Sequence, residues 1–179
     1  MGVVVMAAVI DSSQKSECRI HTDGNKFWYL NDEFHRKDGP AIECADGTKE
    51  WYLNGNLHRE DGPAIECADG TKYWYLNDNL HREDINPETG LTMPAVEFAN
   101  GTKEWYLNGN LHREDGPAIE YANGNKWWCL NGKYHREDGP AIEYSNGKTR
   151  YWINGKYIPQ LDNKRIYGKD NLTKYLILL

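Results

Sequence analysis

From residue 38 onward the chain alternates short runs rich in Ile, Trp, Tyr and Leu with polar glycine dipeptides. Within one unit, Asp46-Gly47 and Asn54-Gly55 separate the runs, and Asp61-Gly62-Pro63 closes the unit and begins the next. Dipeptides of this kind accept the positive φ angles of a tight hairpin. The runs between them carry strand punctuation and predict strands near residues 40–45, 48–53 and 56–59 of each unit. Reading both dipeptides as two-residue turns sets a register. Across the first turn Cys44 faces Lys49, Glu43 faces Glu50, Ile42 faces Trp51 and Ala41 faces Tyr52. Across the second, Tyr52 faces Leu57, Trp51 faces His58 and Glu50 faces Arg59. The expected core face therefore carries Ile42, Trp51, Leu53 and His58. The expected outer face carries Ala41, Glu43, Glu50, Tyr52, Leu57 and Arg59. On that face Arg59 offsets the two facing glutamates, Arg150 does the same for Glu143 in the last unit, and Arg136 lies over the ring of Trp127.

The unit is tandemly repeated. The string HREDGPAIE occurs at residues 58–66, 112–120 and 135–143, and HRKDGPAIE begins at His35. The His-Arg pairs at 35, 58, 81, 112 and 135 give steps of 23, 23, 31 and 23. The long step has a visible origin, because residues 85–93 stand where the other copies have one glycine. A fixed period of this size signals a repeat architecture. The expected fold is all-β: an elongated single-sheet antiparallel meander of about six tandem 23-residue repeats, with a short C-terminal capping helix. Residues 1–16 read as an N-terminal strand and link. Residues 17–159 are the repeats, the first of them degenerate, and 85–93 form a protruding loop. Residues 160–179 are a connector and helix, capped by Asp170 or Asn171. Leu172, Tyr175, Leu176 and Leu179 make one apolar stripe that covers the open end of the sheet.

Composition narrows the function. The net charge of −6 argues against a nucleic-acid binder, which needs clustered cations. It is also too small for an acidic phosphate mimic, given the interleaved Lys49, Lys72, Lys103 and Lys126. Mean hydropathy is −0.83 and no apolar run reaches spanning length, so no membrane role is expected. The opening MGVVVMAAVI lacks a basic flank, so it reads as a strand and not as a secretory leader. Cys44 and Cys67 stand where later copies have Phe98, Tyr121 and Tyr144, and Cys129 where others have Tyr52 or Tyr106. They act as small hydrophobes, which suits a reduced, cytoplasmic setting.

The tempting chemistry is the recurring His-Arg-Glu-Asp. It lacks the rest of a kinase, with no glycine-rich nucleotide loop and no DFG. A residue copied in unit after unit makes a poor single active site. The expectation is therefore no enzyme, with His58 packed on Trp51 and Arg59 paired to Glu50. Histidines three strands apart stand roughly 14 Å from one another, too far to share one metal, so no metal and no cofactor are expected. Two binding readings remain. In the first, Tyr52, Tyr75 and Tyr106 with Arg59, Arg82 and Arg113 form a protein-binding surface, with Glu88 on the insert. In the second, Trp51, Trp74 and Trp105 with His58, His81 and His112 line pockets that stack a nucleotide-type ligand.

The unit at residues 116–133, GPAIEYANGNKWWCLNGK, resembles MORN repeats, in the variant form found in bacterial and large-DNA-virus proteins. The matching features are paired Asn-Gly or Asp-Gly turns with an aromatic strand between them, and the HREDGPA linker is similar to phage versions. The resemblance spans roughly residues 17–158. It implies an elongated β-array with a non-catalytic role in holding a partner. By the same resemblance the expected target is a host protein, a defence component, met in the host cytoplasm. The oligomeric state is left open.

Overall fold

The computed structural model describes residues 16–164 and 166–177, the last three in backbone only. The expected strand at the N-terminus lies almost wholly outside the described residues. The architecture is a 13-stranded antiparallel meander whose strands follow one another in chain order. It opens with β1 (Glu17–Ile20) and β2 (Lys26–Leu30). Each later unit then adds two strands of two residues, as in Ile42–Glu43 and Lys49–Glu50. A second small hairpin follows in every unit, such as Tyr52–Leu53 with Asn56–Leu57. The run expected at 48–53 is thus interrupted at Trp51. The expected third strand pairs only within its own hairpin, except in the first unit, where Glu33–Phe34 joins the large sheet. With two sheet strands per unit instead of three, the repeat rise is roughly 10 Å, not 14 Å.

The two glycine dipeptides make different turns. At Asn54-Gly55 both residues have positive φ, 51° and 78°, as a two-residue type I′ hairpin requires. At Asp46-Gly47 only the glycine does, at 98°. Here the Cys44 N–H reaches the Thr48 carbonyl, and Gly47 N–H bonds back to Cys44. The loop is three residues long, a tight turn closed by a left-handed glycine. The Asp46 carboxylate accepts the Thr48 N–H at 2.8 Å and holds the turn from inside.

One extra loop residue corrects the expected register. Ile42 pairs with Glu50 and Glu43 with Lys49. The second hairpin is as expected, with Tyr52 opposite Leu57 and the His58 N–H on the Trp51 carbonyl. Since side chains alternate with period two, a one-residue slip transfers a strand's whole set to the other face. Ile42 and Trp51 consequently lie on opposite faces, contrary to expectation. One face carries Ile42, Glu50, Tyr52 and Leu57. The other carries Ala41, Glu43, Lys49, Trp51, Leu53 and His58.

Across the sheet each face reads as a row. On the first, which we call the aromatic face, the row runs Phe27, Ile42, Glu50, Ile65, Tyr73, Val96, Glu104, Ile119, Trp127, Ile142. On the second, the linker face, it alternates Lys26, Glu43, Lys49, Glu66, Lys72, Glu97, Lys103, Glu120, Lys126, Glu143. No two like charges face each other along this second row, as favourable cross-strand pairing demands.

The linkers carrying the His-Arg-Glu-Asp-Gly-Pro strings fold back over the second face. Beneath them Ala41, Ala64, Ala95, Ala118 and Ala141 are fully buried. The last unit has no such linker. Tyr151 stands in its tryptophan position, and Leu161, Ile166 and Leu172 enclose it. Its hydroxyl donates to the Ile166 carbonyl and accepts the Ile166 N–H. The helix α1 (Lys169–Ile177) therefore caps a face as well as an end. The open strand edge itself is closed by Asn163, whose N–H bonds the Thr149 carbonyl while its side chain accepts the Thr149 N–H. Leu172 is buried as the apolar stripe requires; the side chains of Tyr175, Leu176 and Leu179 lie outside the described residues.

The insert at 85–93 is a small hairpin, closed by the Ile85–Thr92 bridge. It leans on the next unit, because Thr92 donates its N–H and hydroxyl to Asp115 and accepts the Trp105 indole N–H.

Candidate functional site

On the linker face each arginine is held in the same way. The guanidinium of Arg59 lies 4.0 Å over the Trp51 ring. Its Nε donates to Asp61 at 2.8 Å, and its Nη1 to the Pro63 carbonyl and to Glu66 of the next unit. Arg36, Arg82, Arg113 and Arg136 repeat this on Trp28, Trp74, Trp105 and Trp128. In the linkers of Arg36, Arg59, Arg113 and Arg136 a glycine covers the remaining side of the cation. A Cβ added at Gly116 would come within 2.8 Å of Arg113 Cζ. These glycines are needed for close approach, since none of them has a positive φ. The insert keeps the polar contacts, since Arg82 still reaches Asp84, the Pro94 carbonyl and Glu97. It sets the Met93 sulfur 3.4 Å from the guanidinium where the other linkers have glycine.

These contacts correct the expected ion pairs. Arg59 joins Asp61 and Glu66, not Glu50. Glu143 takes Arg136, while Arg150 pairs with Asp162. Arg136 covers Trp128, not Trp127. Glu50 instead accepts the Tyr52 hydroxyl at 3.0 Å.

The histidines are staples between units. Nδ1 of His35, His81, His112 and His135 accepts the backbone N–H of Asn54, Asn108, Asn131 and Asn154, at 3.0–3.2 Å. His58 Nδ1 meets the Asn77 side chain at 2.9 Å. An accepting Nδ1 leaves the proton on Nε2, which in His81 and His135 points toward the glutamate two residues on, at 3.8 Å; at His35 that position is Lys37. Among the described residues no group of three His, Cys, Asp or Glu side chains is arranged to hold a metal.

The residues of the protein-binding set thus divide between the two faces. Tyr52, Tyr75 and Tyr106 lie half-buried on the aromatic face. Arg59, Arg82 and Arg113 lie on the other, engaged internally. Glu88 is exposed on the insert. The ligand set is spread over separate units. Trp51 and His58 line a groove of ≈840 Å³ with Leu53, Arg59, Arg36 and Lys37. Trp105 and His112 line a smaller one of ≈210 Å³, while Trp74 lies under Arg82 and His81 on Asn108. Asp38, Glu60 and Asp61 share the first groove and balance its positive charge.

The aromatic face has members that the repeat comparison passed over. Tyr73 and Trp127 occupy the position of Glu50, and Tyr73 meets Tyr75 and Phe98. Trp127 meets Tyr121 and Tyr134, and the series continues through Trp152 to Tyr157. The signal was present as the exchange of glutamate for an aromatic in alternate units. The expected register already set those positions on the face of Tyr75 and Tyr134; the corrected register adds Phe98, Tyr121 and the Ile42 column to it. The rings lie edge-on or tilted except for the stacked pair Trp152–Tyr157, and they remain half-exposed or exposed, while the linkers and the C-terminal cap occupy the opposite face.

Burial raises the hydroxyls of Tyr52, Tyr73, Tyr75 and Tyr106 and the thiol of Cys129 on this face. The Tyr52 hydroxyl is pushed up by burial and by the Glu50 carboxylate beside it. Burial alone lifts the Cys129 thiol from 9.0 to about 12. An acid raised in the folded state contributes stability that is complete below its unfolded value and lost as pH rises toward the folded one. Melting temperature should therefore fall between pH 9 and about 12. In Cys129→Val the onset should move toward the tyrosine range, as read by thermal melts across that window.

No protein-family model matches the chain, and no curated protein matches it.

Proposed function

We propose that this chain is a non-enzymatic repeat scaffold that holds a protein partner against its aromatic face. One observation carries the reading. A row of half-exposed tyrosine and tryptophan side chains crosses the array over the buried Ile42, Val96, Ile119 and Ile142, while the linkers close the other face and use its arginines and tryptophans. Aromatic residues on a rigid sheet make efficient interface anchors, since little side-chain freedom is lost on binding. Repetition at roughly 10 Å lets modest contacts sum. The narrower reading, a host defence protein as the target of a phage-encoded inhibitor, rests on the repeat resemblance and names where to look for the partner.

The test is affinity capture with three forms of the protein. The natural chain and a Lys49→Ser/Lys72→Ser variant of the linker face should retain one stoichiometric protein. Tyr75→Ser/Tyr134→Ser should lose it while still melting cooperatively. Recovery of no stoichiometric partner, or equal loss from both variants, would overturn the reading.

Sequestration of a nucleotide-type ligand is the second reading, favoured by the groove beside Arg36, Lys37, His58 and Arg59. It requires a base to stack where a guanidinium already covers the ring. Denaturing the purified protein and assaying for released nucleotide decides it; about one per groove would replace the scaffold reading.

A further inference from the structure

The two ends of the sheet differ. At the C-terminal edge Asn163 occupies the outward groups of Thr149. At the other end, β1 is exposed along its length. The inner hydrogen bonds of β1 can be assigned from its neighbours. His21 N–H bonds Asn25, and the Trp28 N–H turns away to Ala41. In an antiparallel ladder that makes Glu17 and Arg19 the residues bonded to β2, and leaves the N–H and C=O groups of Cys18 and Ile20 pointing outward. Those groups have no bond among the described residues. An open edge with free donors and acceptors is a template for another strand.

We infer that β1 pairs with β1 of a second copy of this chain, joining two arrays into one continuous sheet about a two-fold axis. Because the far edge is blocked, head-to-tail growth is closed off and only the self-complementary pairing is available. Charge then selects the register. Outward residues must face outward residues, so the axis passes through Glu17, Cys18, Arg19 or Ile20; the last sets Arg19 against His21 and runs the pairing into the turn that follows. Centring on Arg19 opposes two arginines, and centring on Glu17 opposes two glutamates. Centring on Cys18 sets Glu17 against Arg19 of the second copy, and the reverse, with Ser16 against Ile20 on either flank. Like charges directly opposite destabilise a pair and opposite charges support it. The Cys18 register alone satisfies both edges, and it covers Ile20, which is otherwise 69% exposed. The seam is short, so the association belongs to the weak, concentration-dependent class.

Sedimentation of the full chain under reducing conditions should show mass rising toward a dimer with concentration. Arg19→Glu and Glu17→Arg should each weaken that dimer about tenfold, because each replaces two opposite-charge pairs by like-charge pairs. The double reversal Glu17→Arg/Arg19→Glu should restore it. Directly bonded antiparallel neighbours stand about 5.5 Å apart at Cα, so a short bismaleimide should join the two chains through Cys18 and fail in Cys18→Ser. All substituted positions are exposed, and unchanged melting of the variants confirms an intact fold. A chain that stays monomeric at every concentration would overturn the inference. So would a dimer indifferent to both single reversals, or cross-linking that persists in Cys18→Ser.

Discussion

Truncating Arg113 to alanine is expected to lower the stability of the array by about 3 kcal/mol, measured by urea unfolding. The side chain is only 5% exposed. It lies 3.9 Å over Trp105 and donates to Asp115, to the Pro117 carbonyl and to Glu120. Removing it uncovers the ring and strips a carbonyl and two carboxylates of their cation. The figure sits at the low end for a buried charge, because Thr92 still supports Asp115 and Glu120 is 38% exposed. Arg113→Lys should recover less than half of the loss. An ammonium cannot serve the three acceptors in one plane while lying flat on an indole. Arg36→Ala should cost less, since that side chain is 20% exposed. The glycine opposite supplies an internal control. Gly116→Ala alone forces a Cβ against the guanidinium and should destabilise by roughly 1–3 kcal/mol. In the Arg113→Ala background that contact is gone, and the same substitution should be nearly neutral. An additive double variant would show that cation and glycine are not in contact.

Leu172→Ala is the second large effect, and its consequence is local. Leu172 is 1% exposed, against Tyr151, Leu161 and Ile166. Truncating a leucine in so enclosed a site costs about 2–5 kcal/mol. In a tandem array each unit contacts only its neighbours, so the loss should appear first as opening of the last unit. Hydrogen exchange should accelerate at the amides of Thr149, Ile158 and Ile166, while those of Trp51 and Cys67 in the middle of the array keep their protection. Uniform acceleration along the whole chain would mean that the cap and the array unfold as one. The cap matters because Ile158 and Pro159 stand where the other units have His-Arg. Without a guanidinium to cover it, the terminal ring needs an apolar lid.

Much of this arrangement was legible from residue order. The spacing of His-Arg pairs placed the repeats. The Asn-Gly dipeptides located the second hairpin with its register, and the stripe through Leu172 marked the cap. The first hairpin was misread for a definite reason. Asp46-Gly47 and Asn54-Gly55 look alike as dipeptides, yet Asp46 keeps a negative φ and spends its carboxylate on Thr48. A warning was already present: the two-residue reading set Glu43 against Glu50, whereas the three-residue loop gives an unbroken alternation of lysine and glutamate. The division of Ile42 from Trp51 descends from that slip; the partner assigned to Arg59 does not, because the chain leaves the second hairpin after His58 and the Arg59 N–H turns to Tyr75 of the next unit.

Residue order by itself determined that this is a tandem β protein with tight turns at fixed points, because turn chemistry and short apolar runs are local properties. Which side of the sheet is closed and which stays open was decided only in three dimensions. The partner of Arg59 depends on a linker folding back over a face, and that fold-over places it beside Trp51 and Glu66, not beside Glu50. A contact of that kind is set by where two separated segments meet, and no spacing within one unit specifies it.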